Sequence, residues 1–462
     1  MVSASSSSAS LTRQIARDAL AIGLDHFDDE VVDKAKLCLL DFLSCAFEAR
    51  NHPWSRQAVG LARPFESGST VIGNEHPATP GDAAFANAVL GHGLVREDMH
   101  AASIAHHGVV IWPALLALCE RSAAPGTTLL AAAIVGYEAG AQIGRALVNA
   151  DLARLYRPTG LVAPIGAALA GCVALGLPEE AAVSAMAIAA NTSSGLNEWP
   201  HHGGSEMYFH PGFAAANAIR AVELAEAGAV ASETILEGEA GLFAAFRRQP
   251  APRELRLFGG RPEIMAVYNK PAPACNFAQT AAQAALRAAR KIGDASAISA
   301  ISIQLPEAAI RYPGCNSKGP YHNALQAKMS IPFSVAAVLA RGEIAEGNYA
   351  GIDDPGINRL VGLTELRNDE AFTASFPVRQ GAEIAVRTRD GGVFTERLDD
   401  VIAATEGQIR ARFVRAASEA IGEAGAARLA KAIDHCEELA DFRVIPQLCR
   451  RPAGERRLRP AS

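Results

Sequence analysis

Aromatic side chains are scarce, at 6% of 462 residues, although hydrophobic residues together make up 49%. A core built from such a chain gains its energy from many small contacts, with Ala and Gly letting helices approach closely, and not from a few large rings. A basic excess is missing too: 43 Lys and Arg stand against 49 Asp and Glu, a formal charge of -6, with nothing to spare for a phosphate backbone. Nucleic acid is therefore not an expected partner. Charged residues are only 20% of the chain, so a full core forms and disorder is confined to the ends.

Other signatures are lacking. The eight cysteines, from Cys38 to Cys449, include no C-x-x-C pair, which argues against zinc and iron–sulfur sites and for a reduced, cytoplasmic protein. The opening MVSASSSSASLTRQ has neither the positive start nor the apolar stretch of a signal peptide, so export is not expected. Apolar runs such as Leu129–Val135 and Val162–Leu177 are broken by Gly or Pro short of about 18 residues, and no membrane span is expected. No phosphate-binding glycine motif and no internal repeat occurs.

What is present reads as a mainly α fold: a large all-helical domain with a second, smaller α+β lid domain. From Leu11 to about Phe246, Ala dominates and apolar positions recur every three or four residues, predicting helices such as Pro113–Glu120, Pro164–Leu175 ending at Gly176, and Glu179–Ala190. The texture changes near Glu263. Ala297–Leu305 reads as a strand and Glu383–Leu398 as a hairpin around Asp390-Gly391-Gly392, with helices at Phe277–Arg290 and Ile331–Arg341 between them. A further helical stretch, through Ala416–Glu438, is expected to return to the first bundle. The implied division is a tail over 1–10, a helical domain over 11–262, a lid over 263–402, returning helices over 403–450 and a basic tail over 451–462.

Titratable side chains concentrate in His92-Gly-Leu-Val-Arg96-Glu97-Asp98-Met-His100, followed by Ser103-Ile-Ala-His106-His107-Gly108. Imidazole titrates near neutrality, and a neighbouring carboxylate fixes its tautomer, so this is a proton-transfer candidate through Asp98 with His100 or His106. A solvated interhelical loop accounts for the same residues. Adjacent histidines rarely address one ion and no H-E-x-x-H occurs, so no metal is expected. A second group, Asn191 to Gly212, offers His202 and His210 on a glycine-rich loop, or is a structural loop. A third, Tyr268-Asn-Lys270-Pro-Ala-Pro-Ala-Cys275-Asn276, places a lysine in stiff backbone at the seam between the two textures. Arg311 is a possible carboxylate clamp beside Tyr312, or a surface ion pair; Cys275 is expected to be inert.

Together these motifs resemble the MmgE/PrpD family of dehydratases, decarboxylases and epimerases of small polycarboxylates. The carriers, in order, are the His92–His100 segment with His106-His107-Gly108, Gly136-Tyr137-Glu138, Arg157-Pro158-Thr159-Gly160, Ser194-Gly195-Leu196 and His210-Pro-Gly. Ile235-Leu236-Glu237-Gly238, Lys270-Pro-Ala-Pro-Ala-Cys275 and Ala327-Lys328-Met-Ser330 continue it, so that it spans nearly the whole chain. Against the family pattern H-x-x-D-x-D-D-T-H, Glu97, Asp98 and His100 match, whereas Val95 replaces an Asp and Met99 a Thr. Met207 replaces a lysine, Arg157 and Asn276 replace histidines, and His210 and Lys270 match.

The resemblance implies a cofactor-independent homodimer with no metal, acting as a lyase on a small di- or tricarboxylate. The expected reaction is dehydration of the 2-methylcitrate type, with epimerisation of a carboxylated carbon, decarboxylation of the cis-aconitate type, or non-enzymatic carboxylate binding as alternatives. Expected catalytic residues are Asp98, His100, His106 and Lys270. Expected substrate ligands are Glu97, Arg157, His202, His210, Arg311 and Tyr312.

Overall fold

The computed structural model describes residues 9–452. Most of both expected tails, residues 1–8 and 453–462, lies outside the described residues. The chain is mainly helical with a smaller α+β portion. Its principal helices are α1 (Asp29–Ala49), α2 (Pro80–His92), α3 (Gly108–Cys119), α4 (Gly126–Leu147), α5 (Pro158–Ala174), α6 (Glu179–Asn191) and α7 (Glu206–Glu226). After them come α8 (Gln279–Ile292), α9 (Ile331–Arg341), α10 (Glu406–Ile421) and α11 (Glu423–Asp434).

Two helix starts differ from the sequence expectation, for one reason. Pro113 and Pro164 do not open helices; each lies inside one that begins about a turn or more earlier, at Gly108 and at Pro158. An interior proline loses one backbone hydrogen bond and is ordinarily costly. Here every residue of α3 is buried, so apolar packing on all sides holds the helix through its proline. The C-terminal stretch also divides: α10 starts at a capping box of Thr405 and Gln408, and Gly422 at φ +77° separates it from α11. By contrast, Gly176 takes the left-handed cap that was expected of it, at φ +63°.

Small residues set the helix spacing. A Cβ on Gly166 of α5 would lie 2.4 Å from the carbonyl oxygen of Gly136 and 3.0 Å from the amide nitrogen of Gly140, both on α4. The two helices thus meet backbone to backbone, which only glycine at these positions permits. Gly171 of the same helix faces Leu118 of α3 and Val222 of α7, so α5 is enclosed by three neighbours.

Besides a short strand, β1 (Pro64–Ser69), two ladders form among the described residues. In the first, β2 (Met99–His100) pairs antiparallel with β3 (Val267–Tyr268), joining the segment after α2 to the segment that carries Lys270. The second is a four-stranded sheet of β4 (Ile298–Leu305), β5 (Thr364–Asn368), β6 (Ala382–Thr388) and β7 (Val393–Leu398), in the order β5-β4-β6-β7. Only the β4–β5 pair is parallel. Ile301 and Ile303 of β4 sit opposite Val386 and Ile384 of β6, all four buried beneath α8 and α9. The alternation of these apolar residues is the period-2 signal of a half-buried strand.

Buried apolar residues fall into two main clusters. One combines the helices from Leu11 to Val267 with Ala404–Cys449, because α10 returns to pack on α1. The other is built on the sheet, yet includes Val95, Trp199, Met207 and Tyr208 from the helical part. The two cores therefore interlock around the segments that follow α2 and precede α7. From the α4–α5 contact, Gly166→Ala should lower stability by about 1–3 kcal/mol through overpacking. Gly176→Ala, with open space around its Cβ position, should cost about 1 kcal/mol from backbone strain alone; chemical denaturation of the two variants measures the contrast.

Candidate active site

The segment from His92 to His107 is not a solvated loop. His92, Arg96, Glu97, Asp98, His100, His106 and His107 are all buried. The β2–β3 ladder pins its middle, and α3 begins at Gly108, where a Cβ would strike both the Tyr137 hydroxyl and the Asp98 carboxylate. Seven polar side chains are thus removed from water, and each must find a partner or shift its protonation.

His106 has a defined tautomer. Its Nδ1 lies 2.7 Å from the main-chain oxygen of Asp98, which can only accept, so Nδ1 donates and the neutral ring keeps a free lone pair on Nε2. The main-chain N–H of His106 donates to Thr159 Oγ1 at 3.0 Å, tying the residue to the first turn of α5. His92 is fixed by the same logic: Arg157 Nη2 donates to its Nε2 at 3.0 Å, so its Nδ1–H donates to Glu97 Oε1 at 2.6 Å. Glu97 Oε1 is also 3.2 Å from His106 Nδ1, so one carboxylate backs both rings.

Two cations share this place without a carboxylate of their own. Lys270 is fully buried and donates to the main-chain oxygens of Val95 and, at 3.2 Å, of Ala274. Arg157 is buried at the N-terminus of α5, its guanidinium 5.7 Å above the Trp199 ring and its Nε without a partner. Among the described residues neither makes an ion pair.

The lysine is held from outside. Asn269 donates to Asp41 Oδ2 of α1 at 2.9 Å, and Arg412 of α10 donates to the Lys270 and Pro271 carbonyl oxygens at 3.1 and 2.8 Å. The carbonyl of Val95 reaches Lys270 from a residue at φ +59°, a left-handed conformation unusual for a β-branched side chain.

Charge states follow from burial and these neighbours. Burial opposes ionisation of Glu97, but His92, His106 and Lys270 together outweigh it and hold the carboxyl well below its ordinary range. Burial lowers His106 to about 3, reinforced by Lys270 and Arg157 against the pull of Glu97, so the ring is neutral at pH 7. Lys270 is lowered by burial against the opposing attraction of Glu97. Asp98 is raised to about 7, again by burial, despite the hydrogen bond from Tyr137.

His106, Arg157, Lys270 and Tyr312 line one small cavity of about 30 Å³, together with Thr159 and Asn276. That is room for about one water molecule. Outside it lies an open cleft of about 1310 Å³ whose walls include His202, Arg311 and, again, Tyr312. Tyr312 thus stands between chamber and cleft, its hydroxyl accepting from Asn197 Nδ2 at 3.2 Å.

The sequence-expected residues divide accordingly. Glu97 lies behind the chamber, against His92 and His106. Asp98 does not line it: its Oδ2 accepts from the Tyr137 hydroxyl and its Oδ1 is buried without a partner. His100 is turned elsewhere, bonding Ser103 Oγ and Glu263 Oε2, each at 2.8 Å. His210 packs near Gly195 and Arg157, with Nδ1 unpartnered and burial lowering its pKa to about 3. His202 and Arg311 are exposed in the outer cleft, paired with Glu198 and Glu307.

Sequence reasoning missed the apolar wall of the chamber, formed by Met99, Ile104, Phe277 and Met329 with Val95. It also gave His92 no role, although His92 opens the titratable segment and connects Glu97 to Arg157. Among the described residues no group of three or more His, Cys, Asp or Glu is arranged to hold a metal, and no helix is long and apolar enough to cross a membrane.

Comparison with known proteins agrees with the sequence resemblance. Cis-aconitate decarboxylase of Aspergillus terreus (strain NIH 2624 / FGSC A1156) is 25% identical over 87% of this chain and 87% of its own length. The Homo sapiens cis-aconitate decarboxylase is 26% identical over 96% and 95%, and the 2-methylcitrate dehydratase of Cupriavidus necator 27% over 79% and 80%. The MmgE/PrpD N-terminal domain model matches residues 13–255 and the MmgE/PrpD C-terminal domain model residues 272–438. Two matches in chain order, covering most of the sequence with Lys270 in the short interval between them, establish that this chain belongs to the MmgE/PrpD family.

Proposed function

We propose that this protein is a cofactor-independent lyase of a small di- or tricarboxylate, a hydro-lyase of the 2-methylcitrate dehydratase type. The observation that carries the reading is the pair of buried cations, Arg157 and Lys270, facing one chamber without ion-pair partners and beside a neutral His106 with its Nε2 free. A buried cation is costly unless an anion joins it, and two substrate carboxylates would supply the missing charge. Arg157 suits this role because its fork matches a carboxylate bidentately.

In this reading His106 begins as a base. Its Nε2 takes a proton from the carbon next to a carboxylate, Lys270 stabilises the enolate-like charge, and the C–O bond at the adjacent carbon breaks. The proton held on His106 leaves with the departing hydroxide as water, so the step balances. Substrate binding also tunes the base: the cations that depress His106 are neutralised by the carboxylates, and its pKa rises in the complex. Asp98, with its carboxyl on Tyr137, has a supporting place behind the chamber, and His202 and Arg311 lie on the proposed approach through the outer cleft. Tyr312 must move to admit a six- or seven-carbon acid.

Decarboxylation of the cis-aconitate type is the second reading. Its support is coverage: the Homo sapiens decarboxylase aligns over 96% of this chain, the Cupriavidus necator dehydratase over 79%. It requires a protonated donor at the outset, whereas His106 starts neutral. Proton NMR in heavy water with 2-methylcitrate, citrate, cis-aconitate and the dicarboxylate 2-methylmaleate separates the two. Loss of water with an alkene product supports the first, release of CO₂ from cis-aconitate supports the second, and neither conversion nor hydrogen exchange with any acid overturns the enzyme reading.

His106→Gln should lower kcat/KM by about 10²–10⁴ with folding intact by circular dichroism. The acid limb of kcat should lie at higher pH than that of kcat/KM, because only the complex has its cations neutralised; coincident limbs would remove the tuning argument. For Asp98 the folded pKa, about 7, lies above the usual 3.8, so its contribution is present below about pH 4 and is lost as pH rises to about 7. That change amounts to about 4 kcal/mol. Asp98→Asn should therefore flatten the pH dependence of stability and be the more stable form at pH 8, as denaturant titrations at pH 5 and pH 8 will measure.

A further inference from the structure

We infer that the acid selected by this chamber carries two carboxylates and an alkyl branch in place of a third carboxylate. The inference rests on the carboxylate-lyase reading above and narrows its substrate class.

The chamber's lining has two unlike components. Arg157 and Lys270 are its basic side chains besides His106, which is uncharged at neutral pH. The apolar component is Val95, Met99, Ile104, Phe277 and Met329. The remaining polar lining groups, Thr159, Asn276 and Tyr312, carry no charge. The Asn276 amide donates to Gln380 Oε1 at 2.8 Å while its oxygen accepts from Tyr268, and Thr159 Oγ1 accepts from the His106 main chain. A dianion therefore matches the two cations, and Glu97, ionised behind the histidines, opposes any further negative charge. A third carboxylate would be stripped of water beside Val95, Met99, Ile104, Phe277 and Met329 with no third cation to receive it, only the hydroxyl protons of Thr159 and Tyr312. An alkyl group in the same position gains affinity, by roughly four-fold for each buried methylene.

Two residues of the apolar lining are also conformationally strained. Val95 and Ile104, which flank the apolar wall, are both β-branched and both left-handed, at φ +59° and +51°. Such residues are rare there, and strain of this kind persists where the surrounding structure imposes it, most often at ligand sites. Asn or Gly would relieve the conformation at either position but would remove the apolar surface. Met207, fully buried against His92, continues the same absence of cations one layer behind.

The test is calorimetric titration of the full-length protein at pH 7.5 with a matched series on one skeleton: maleate, 2-methylmaleate, 2-ethylmaleate and cis-aconitate. The last two differ only by a terminal methyl against a carboxylate. We expect 2-ethylmaleate to bind at least about ten-fold tighter than cis-aconitate, and affinity to rise from maleate to 2-ethylmaleate. Val95→Asn, which accepts the left-handed backbone, should keep or raise the melting temperature and reduce that preference to below about three-fold. Tighter binding of cis-aconitate, or a preference unchanged in Val95→Asn, overturns the inference and leaves the lyase reading standing. No binding of any of the four acids overturns both.

Discussion

The structure depends on keeping two cations dry. Among the described residues, Lys270 is buried with no carboxylate on its ammonium, and Arg157 is buried with only a histidine nitrogen and an indole ring as side-chain partners. Isolated buried charge is among the most expensive features a fold can carry. It is sustained here by oriented dipoles and by one ion at a remove: main-chain oxygens of Val95 and Ala274 on the ammonium, and Glu97 behind His92 and His106. Each carbonyl must then be held in place, which explains why Val95 is kept in a conformation its side chain disfavours.

The remainder of the architecture serves that placement. Asp41 of α1 and Arg412 of α10 grip the Asn269–Pro271 backbone from two sides, so helices near opposite ends of the chain fix one lysine. The β2–β3 ladder sets the distance between that lysine and the histidine segment. The backbone contact of α4 with α5 brings the start of α5, and with it Arg157 and Thr159, up to His106. A helical bundle rich in Ala and Gly can approach this closely, and the scarcity of aromatic residues is the compositional trace of it.

Neighbouring residues in the same segment acquire different chemistry from small differences in surroundings. Glu97 and Asp98 are adjacent and both buried, yet one is held ionised by two imidazoles and a lysine, while the other is pushed up to about 7 beside a phenol. His100 and His106 are likewise both buried, but only His106 turns an unprotonated nitrogen to the chamber. Environments that separate otherwise equivalent groups are how one fold assigns acid and base roles.

The mainly α fold, its sheet-bearing smaller part and the family were legible in the sequence, because periodicity and motif order are local properties written along the chain. So was the concentration of titratable groups between His92 and His107. What the sequence did not carry was direction. That Asp98 and His100 turn away from the chamber, that His202 and Arg311 stand outside it, and that Val95, Met99, Ile104, Phe277 and Met329 make its apolar wall are outcomes of packing among segments up to more than two hundred residues apart. Residue identity determines which chemistry a side chain offers; the tertiary structure decides which side chains face one volume and which of them lose their water, and those two choices set charge state and function.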